Sequence, residues 1–333
     1  MAETPAAPSA GTVDIPGPWT HRYVAANGAR FHVTETGPAR GPLVVLLHGF
    51  PEFWWAWRDQ LPALAVAGYR AVAMDLRGYG GSDKTPHGYD PVTLASDVAS
   101  VVKALGARDA VLVGHGWGGY VGWAAAALHP REVSALCVVS APHPATLRLG
   151  PRTLLRRGDG REALRHVLAM QVPLLPERRL ADPGTGFLRD HLSAWTGSAS
   201  AFPDDVAVAT YQQAISQWPS SHCALEYHRW LFRSRWRTDG RRFAAAMRAP
   251  LHQPVCCIWG AEDPVVADAQ IAASSSRVAG EPTEHRLPGV GHYPHEEDPA
   301  AVTGLLLSWL EARPTGEVGR QGAYGQSPVS TAS

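Results

Sequence analysis

The chain has 333 residues, of which 30 are basic and 30 acidic, so its formal net charge at neutral pH is zero. This length can bury a sizeable core, and the balanced charge excludes a general electrostatic attraction to nucleic acids or anionic membranes. Hydrophobic residues make up 45% of the chain, yet no apolar run approaches membrane-spanning length. We therefore predict a globular protein with no nucleic-acid partner and no membrane insertion.

Both ends of the sequence have the composition of disordered tails. Residues 1–17 are rich in Ala and Pro and lack the basic start and apolar core of a secretory signal, and residues 314–333 are rich in Gly and Ser. The four cysteines form no Cys-x-x-Cys pair, and three of them, Cys137, Cys256 and Cys257, lie in apolar strand-like runs. Buried free thiols in a cytoplasmic protein are the expected state.

The first predicted elements are an edge hairpin and two buried strands. Strand-like segments at 21–26 and 30–36 are separated by Asn27-Gly28, a pair that readily takes the positive φ values of a tight turn. Apolar strands follow at Leu43–Leu47 and Arg70–Met74. The hairpin should form the antiparallel edge of the sheet that these strands begin.

A strand-turn-helix segment comes next, and it has an unusual centre. Ala110 to Val113 is typical of a buried strand, and Gly118 to His129 is typical of the following helix. The turn between them has the pattern Gly-x-nucleophile-x-Gly, in which tight packing selects the outer glycines and the central side chain is lifted into a site. Gly114 and Gly118 fit this pattern, whereas the central residue, Gly116, has no side chain that could attack a substrate.

After a strand at Val133–Val139, the pattern changes into a helix-like, arginine-rich stretch. We expect a helical cap at 143–250, inserted between core segments at 18–142 and 251–313. Strands alternating with helices on both sides of the insertion predict a mostly parallel twisted sheet with right-handed crossovers. Arginines recur at nearly helical spacing within the cap and predict a solvated helix face: Arg148, Arg152, Arg156, Arg157, Arg161 and Arg165.

These segments together resemble the α/β-hydrolase fold, and specifically its epoxide hydrolase and haloalkane dehalogenase branch. The resemblance runs from about Pro18 to Arg313 and is carried by several motifs in the family's order: His48-Gly49-Phe50-Pro51-Glu52, Asp75-Leu76-Arg77-Gly78-Tyr79-Gly80-Gly81-Ser82, His115-Gly116-Trp117, Trp259-Gly260-Ala261-Glu262-Asp263-Pro264 and Gly289-Val290-Gly291-His292. The Gly-Pro-Trp start, the Phe-Trp-Trp segment and the Ala-Leu-Glu-Tyr segment are similar to an actinobacterial, epoxide hydrolase E-like group. The resemblance implies a mostly parallel sheet flanked by helices, with an inserted helical cap.

The same resemblance implies the catalytic residues. In that branch the nucleophile is an aspartate followed by tryptophan, so His115-Gly116-Trp117 is similar to the family's His-Asp-Trp with glycine in place of aspartate. By position, Asp263 would orient His292, and His292 would activate water as a general base. The backbone amides of Phe50 and Trp117 would form an anion hole, a role that needs no particular side chain.

The implied ligand site is altered as well. Family members use two cap tyrosines as donors to the epoxide oxygen; here the second falls at His228, beside Tyr227, and the first falls near Ala169, with Tyr211 another conceivable substitute. Trp54 and other tryptophans suggest an aromatic-lined pocket for a small apolar molecule. We see no metal cluster or phosphate loop in the sequence and expect no cofactor, and no feature specifies the oligomeric state.

Three functions remain open at this point. The first is weak or water-activated hydrolysis by the His292–Asp263 dyad in an epoxide-hydrolase-like enzyme. The second is a pseudoenzyme that binds a ligand or partner without catalysis. The third is a cofactor-free lyase or oxygenase that uses the same dyad. Glycine cannot form the covalent ester of the family mechanism, so that route is closed in each case.

Overall fold

The computed structural model describes residues 13–147 and 161–313. An eight-stranded sheet has the order β1-β2-β4-β3-β5-β6-β7-β8. Its β1–β2 and β2–β4 pairs are antiparallel and the other pairs are parallel. The predicted mostly parallel sheet is thus confirmed. The strands are β1 Thr20–Ala26, β2 Ala29–Thr36, β3 Leu43–Leu47, β4 Arg70–Met74, β5 Ala110–His115, β6 Val133–Val139, β7 Val255–Gly260 and β8 Thr283–Leu287.

The predicted edge hairpin is confirmed as well. Ala26 pairs with Ala29 across a two-residue turn, and both turn residues have positive φ, 44° at Asn27 and 74° at Gly28. Asparagine and glycine tolerate this left-handed backbone better than other residues, which is why this pair closes the hairpin.

Helices cover the sheet, so its central strands are buried along their whole length. All residues of β3 and β5 are buried, as expected for parallel strands with both faces covered. The helices are α1 Gln60–Val66, α2 Pro91–Ala104, α3 Gly116–Leu128, α4 Arg161–Ala169, α5 Leu175–Ala181, α6 Phe187–Trp195, α7 Asp205–Ile215, α8 Ser220–Arg233, α9 Thr238–Ala246, α10 Asp268–Ser275, α11 Pro294–Glu297 and α12 Pro299–Ala312. Short 3₁₀ helices lie at Trp54–Trp57, Pro144–Thr146, Pro183–Thr185 and Ser234–Trp236. We call α4 to α9, between β6 and β7, the helical insertion.

The N-terminal packing begins earlier than the composition predicts. Residues 13–17 belong to the predicted tail, but Val13 is buried and its carbonyl accepts a 2.8 Å hydrogen bond from the Trp54 indole. The tail boundary is therefore corrected at these residues. The rest of both predicted tails, residues 1–12 and 314–333, lies outside the described residues, as do four of the six cap arginines: Arg148, Arg152, Arg156 and Arg157.

The four cysteines are free and buried, as expected. Among the helices that the structure describes, none combines the length and hydropathy needed to cross a bilayer.

Candidate active site

The turn between β5 and α3 is crowded at its outer glycines. A Cβ atom added to Gly114 would lie 2.5 Å from the carbonyl of Gly118, and one added to Gly118 would lie 2.5 Å from the carbonyl carbon of Leu47 in β3. Real side chains do not approach a backbone so closely. The two outer glycines are therefore required by the packing of α3 against the sheet.

The central glycine is different. Gly116 has a φ of 49°, the strained left-handed conformation of a residue raised on a sharp turn. A Cβ added there would lie 3.7 Å from the Gly49 Cα and 3.7 Å from Nε2 of His292, which are ordinary van der Waals distances. The position has room for a side chain, and that side chain would face the His292 imidazole.

His292 and Asp263 form a buried, oriented dyad. Nδ1 of His292 lies 2.9 Å from Oδ2 of Asp263. The other carboxylate oxygen, Oδ1, accepts backbone hydrogen bonds from Val265 at 2.7 Å and Val266 at 2.9 Å. A carboxylate held as an acceptor on both oxygens fixes the Nδ1–H tautomer of the imidazole. The Nε2 lone pair therefore faces the space at Gly116 and can accept a proton.

A second buried cluster lies beneath the dyad. Nδ1 of His115 is 2.8 Å from Oε2 of Glu52, and Nε2 of His115 is 2.8 Å from the carbonyl oxygen of His292. Burial lowers the pKa of His115, but the charge of Glu52 and its hydrogen bond raise that pKa above the ordinary value. Burial conversely raises the pKa of Glu52, while the charges of His115 and His295 hold it well below the ordinary value. His115 is thus a cation that donates from both nitrogens, so it supports the His292 loop and is not a substitute nucleophile.

The dyad opens on an apolar cavity of about 100 Å³ between the C-terminal ends of the parallel strands and the helical insertion. Five residues expected at the site line this cavity: Phe50, Gly116, Trp117, His228 and His292. Asp263 lies behind His292. Most of the other lining side chains, including Tyr120, Trp195, Val265 and Leu231, are apolar or aromatic, and Ser140 adds a hydroxyl. The cavity is suited to a small apolar group.

The two residues whose backbone amides are expected to form the anion hole, Phe50 and Trp117, both line the cavity. Trp117 is the second residue of α3, and N–H groups in the first helical turn have no partner within the helix. Among the described residues, none accepts a hydrogen bond from the backbone amide of Phe50. The positive end of the α3 dipole adds to the attraction for an anion at this point.

His228 does not present the donor that a tyrosine would supply. Its Nδ1 lies 3.2 Å from the carbonyl of Ala224 and must donate there, so its Nε2 is an acceptor. That Nε2 receives the Trp117 indole N–H at 3.0 Å and lies 3.1 Å from Nε2 of His166. Burial lowers the pKa of His228 to about 3, so the ring stays neutral. His166 therefore donates to His228, and the cavity has an acceptor where the family resemblance implies a donor.

The structure does not bring the other two expected ligand-binding side chains to this cavity. Tyr227 is fully buried and its hydroxyl donates a 2.7 Å hydrogen bond to the carbonyl of Arg77. Trp54 is also fully buried and packs against the N-terminal segment. Tyr211, the other suggested substitute, donates to Glu296. We correct these assignments, because each polar group already has a partner within the protein.

The neighbours of the catalytic candidates are also distinguished by their contacts. Glu262, which precedes Asp263 in the sequence, accepts hydrogen bonds from the backbone N–H and the hydroxyl of Ser198. His295, three residues after His292, is fully buried and its Nε2 lies 3.1 Å from Oε1 of Glu52. Asp263 is therefore the acid that contacts His292.

Sequence reasoning missed two histidines of the insertion. His166 of α4 lines the cavity, and the centre of the His191 ring in α6 is 5.0 Å from the centre of the His166 ring. His191 lies three residues after the buried Leu188 and four before the buried Trp195, and His166 lies four before the buried Met170. The only available signal was this helical spacing, which also fits a histidine that merely packs in a core.

The insertion is bonded directly to the loop that carries His292. The Trp195 carbonyl accepts the backbone N–H of His292 at 2.7 Å, and the N–H of Ala199 donates to Gly289 at 3.2 Å. One carboxylate oxygen of Glu297 accepts from the N–H groups of both Gly197 and Gly291 at 2.8 Å. Residues 195–199 and 289–297 thus form one hydrogen-bonded seam.

Comparisons with known proteins agree with the fold. The family model described as alpha/beta hydrolase fold matches residues 42–299. Epoxide hydrolase A of Mycobacterium tuberculosis is 32% identical, over 87% of this chain and 97% of the relative, and the AB hydrolase superfamily protein YfhM of Bacillus subtilis is 30% identical over the same shares. The solved structure of an epoxide hydrolase from an endophytic Streptomyces has a TM-score of 0.78 and 31% identity, and covers 89% of this chain and 96% of that one. The chain belongs to the α/β-hydrolase family and has epoxide hydrolase-like relatives.

Proposed function

We propose that the protein is an epoxide-hydrolase-like hydrolase that acts on a small apolar substrate through a water activated by the His292–Asp263 dyad. The observation that carries the proposal is the position of Nε2 of His292, 3.7 Å from a Cβ built on Gly116. A water at hydrogen-bond distance from that nitrogen would occupy the space of a nucleophilic side chain. An intact dyad facing such a space supports catalysis without a covalent intermediate.

The reaction follows from the donors and acceptors of the site. Nε2 of His292 accepts a proton from the water as its oxygen bonds to the electrophilic carbon of the substrate, and Asp263 stabilises the resulting imidazolium. The negative charge that develops on the substrate oxygen is met by the backbone amides of Phe50 and Trp117. The imidazolium then returns the proton to the leaving oxygen, which restores the dyad.

The hydrogen-bond pattern of the insertion bears on the substrate class. Opening an epoxide is assisted by a donor to its oxygen, but Nε2 of His228 is an acceptor that Trp117 and His166 already engage. Attack on an ester carbonyl places the charge at the anion hole and needs no such donor. We therefore propose that small apolar esters are hydrolysed faster than epoxides of similar size.

The test is steady-state and single-turnover hydrolysis of matched aryl and alkyl epoxides and esters by four proteins: the native chain, His292→Ala, Asp263→Asn and Glu262→Gln. We expect slow turnover by the native chain, because loss of a triad member in other hydrolases leaves only about 10³–10⁴-fold acceleration over the uncatalysed reaction. His292→Ala should abolish it, and Asp263→Asn should lower it at least tenfold. Glu262→Gln is the matched control, because Glu262 bonds to Ser198 and not to His292. Activity that survives His292→Ala would refute water activation by the dyad.

One observation favours a second candidate, a ligand-binding protein without catalytic activity. Trp117, His228 and His166 satisfy each other across the cavity wall, which leaves few polar groups to engage a reacting atom. The variant Gly116→Asp separates the two candidates. If only this variant turns over an epoxide or an ester, the native pocket binds ligands and lacks the catalytic group; turnover by the native chain excludes this candidate.

A further inference from the structure

We propose that Asp14, His21 and His32 bind a divalent transition-metal ion at the N-terminal edge of the sheet, away from the cavity of the dyad. Nδ1 of His21 lies 3.1 Å from Nε2 of His32, and Oδ1 of Asp14 lies 3.3 Å from the same nitrogen. All three ligand atoms lie within 4.8 Å of one another. The sequence spacing of these residues matches no familiar metal motif, and the hairpin β1–β2 brings the two histidines together.

Each histidine is held so that its free lone pair points into the cluster. Nδ1 of His32 is 2.8 Å from Oδ2 of Asp75, whose oxygens also accept backbone N–H groups from Trp54 and Gly81. Asp75 is therefore an acceptor and His32 carries its proton on Nδ1. Nε2 of His21 is 2.9 Å from the carbonyl of Ile15, so His21 carries its proton on Nε2. A carboxylate or carbonyl behind each imidazole is the arrangement that supports metal-binding histidines.

Nδ1 of His21, Nε2 of His32 and Oδ1 of Asp14 are thus three acceptors that face one another. The donor beside them is the neutral Thr34 hydroxyl, 3.1 Å from Nδ1 of His21. Oδ1 of Asp14 is buried and, among the described residues, has no hydrogen-bond partner. Converging acceptors need a positive charge between them, and imidazole with carboxylate is a suitable ligand set for zinc and similar ions. The buried Glu52–His115–His295 cluster differs, because there each histidine donates a proton to the carboxylate.

The distances fit a tetrahedral ion. Metal–nitrogen and metal–oxygen bonds of about 2.0–2.2 Å at tetrahedral angles place the ligand atoms about 3.3–3.5 Å apart. The separations from Nε2 of His32, 3.1 Å to His21 and 3.3 Å to Asp14, need only a slight opening, and the third pair lies within 4.8 Å, so a small side-chain adjustment would complete the geometry. The Asp14 side chain is 30% exposed and provides the route for an ion, and the remaining coordination position falls to Thr34 or to water. Such an ion would fasten residues 13–15 to the sheet.

The test is titration of the full chain, without an affinity tag, with Zn²⁺. We expect saturable binding of one ion per chain by calorimetry, a rise in Tm that saturates with binding, and a zinc absorption edge with nitrogen and oxygen ligands. His21→Ala should abolish this site, and Asp14→Asn should weaken it at least tenfold while keeping the shape of the side chain. His87→Ala, at an exposed histidine, is the matched control and should bind like the native chain.

Three results would overturn the proposal. One is the absence of saturable binding in the native chain, which would mean that the two imidazoles share a proton. Another is binding that both His21→Ala and Asp14→Asn retain. The third is sulfur in the zinc coordination sphere, which would assign the ion to a cysteine. If His21→Ala does not fold, Zn²⁺ binding by Asp14→Asn alone tests the proposal, because the partly exposed Asp14 side chain can be changed without opening the core.

Discussion

Acid should destabilise the folded protein through two buried histidines beside the cavity, His191 and His228. Burial lowers the pKa of each to about 3, whereas the pKa of an unfolded histidine is about 6.5. Below about pH 6.5 the unfolded chain therefore binds more protons than the folded chain. The stability present above that pH is lost progressively as the pH falls toward 3.

The expected loss can be worked out from these values. Relative to pH 8, each histidine should lower the free energy of unfolding by about 0.8 kcal/mol at pH 6 and about 2 kcal/mol at pH 5. The two together cost about 4 kcal/mol at pH 5, a large part of a typical domain stability of about 5–15 kcal/mol. Both side chains are buried, so solvent screens neither of them strongly.

Urea unfolding followed by tryptophan fluorescence at pH 8, 6 and 5 measures this loss. His191→Phe keeps an aromatic ring beside Trp195 and removes the titrating group, so it should recover about 2 kcal/mol of the acid-induced loss at pH 5. His87→Ala, at an exposed position, is the control and should follow the native chain. If native and His191→Phe proteins lose stability in parallel as the pH falls, the reasoning about buried neutral histidines is refuted.

Three further outcomes are expected. Gly116→Asp should cost about 1–2 kcal/mol in urea unfolding, because only its left-handed backbone is strained, whereas Gly118→Ala should cost about 3 kcal/mol or more through its clash with a strand carbonyl; equal losses would contradict the packing described for the turn. If the native chain is active, Asp263→Asn should lower kcat at least about tenfold with little change in KM, and a pure rise in KM would argue against an orienting role. Glu52→Gln should cost about 3–5 kcal/mol at neutral pH, because it leaves His115 as an unpaired buried cation. Since the pKa of His115 is raised in the folded protein, this loss should shrink as the pH rises through that pKa. A loss independent of pH would mean that Glu52 and His115 are not a charged pair.

Most of the sheet could be predicted from the sequence because its signals are local. The turn pair Asn27-Gly28 and the uninterrupted apolar run Leu43–Leu47 each specify their own conformation, and both occur where expected. The Asp263 and His292 loops were placed by motifs at the ends of strands. Parallel strands bring such loops together at one edge, so the contact between these two residues follows from the fold.

The ligand-facing residues of the insertion were not predictable in the same way. Whether Tyr227 or its neighbour His228 faces the cavity depends on how α8 is rotated over the sheet, and a single residue changes the direction by about 100°. The structure turns His228 inward and directs Tyr227 to the carbonyl of Arg77. Val13 was missed for a related reason, since its partner Trp54 is distant in sequence.

The seam between residues 195–199 and 289–297 limits how the molecule can move. The backbone amide of His292 is bonded to the Trp195 carbonyl, so lifting this side of the insertion would pull the imidazole away from Asp263. This side of the insertion consequently anchors the loop that carries the base. Substitutions in residues 196–199, none of which lines the cavity, would accordingly change proton transfer at His292 without altering a ligand contact.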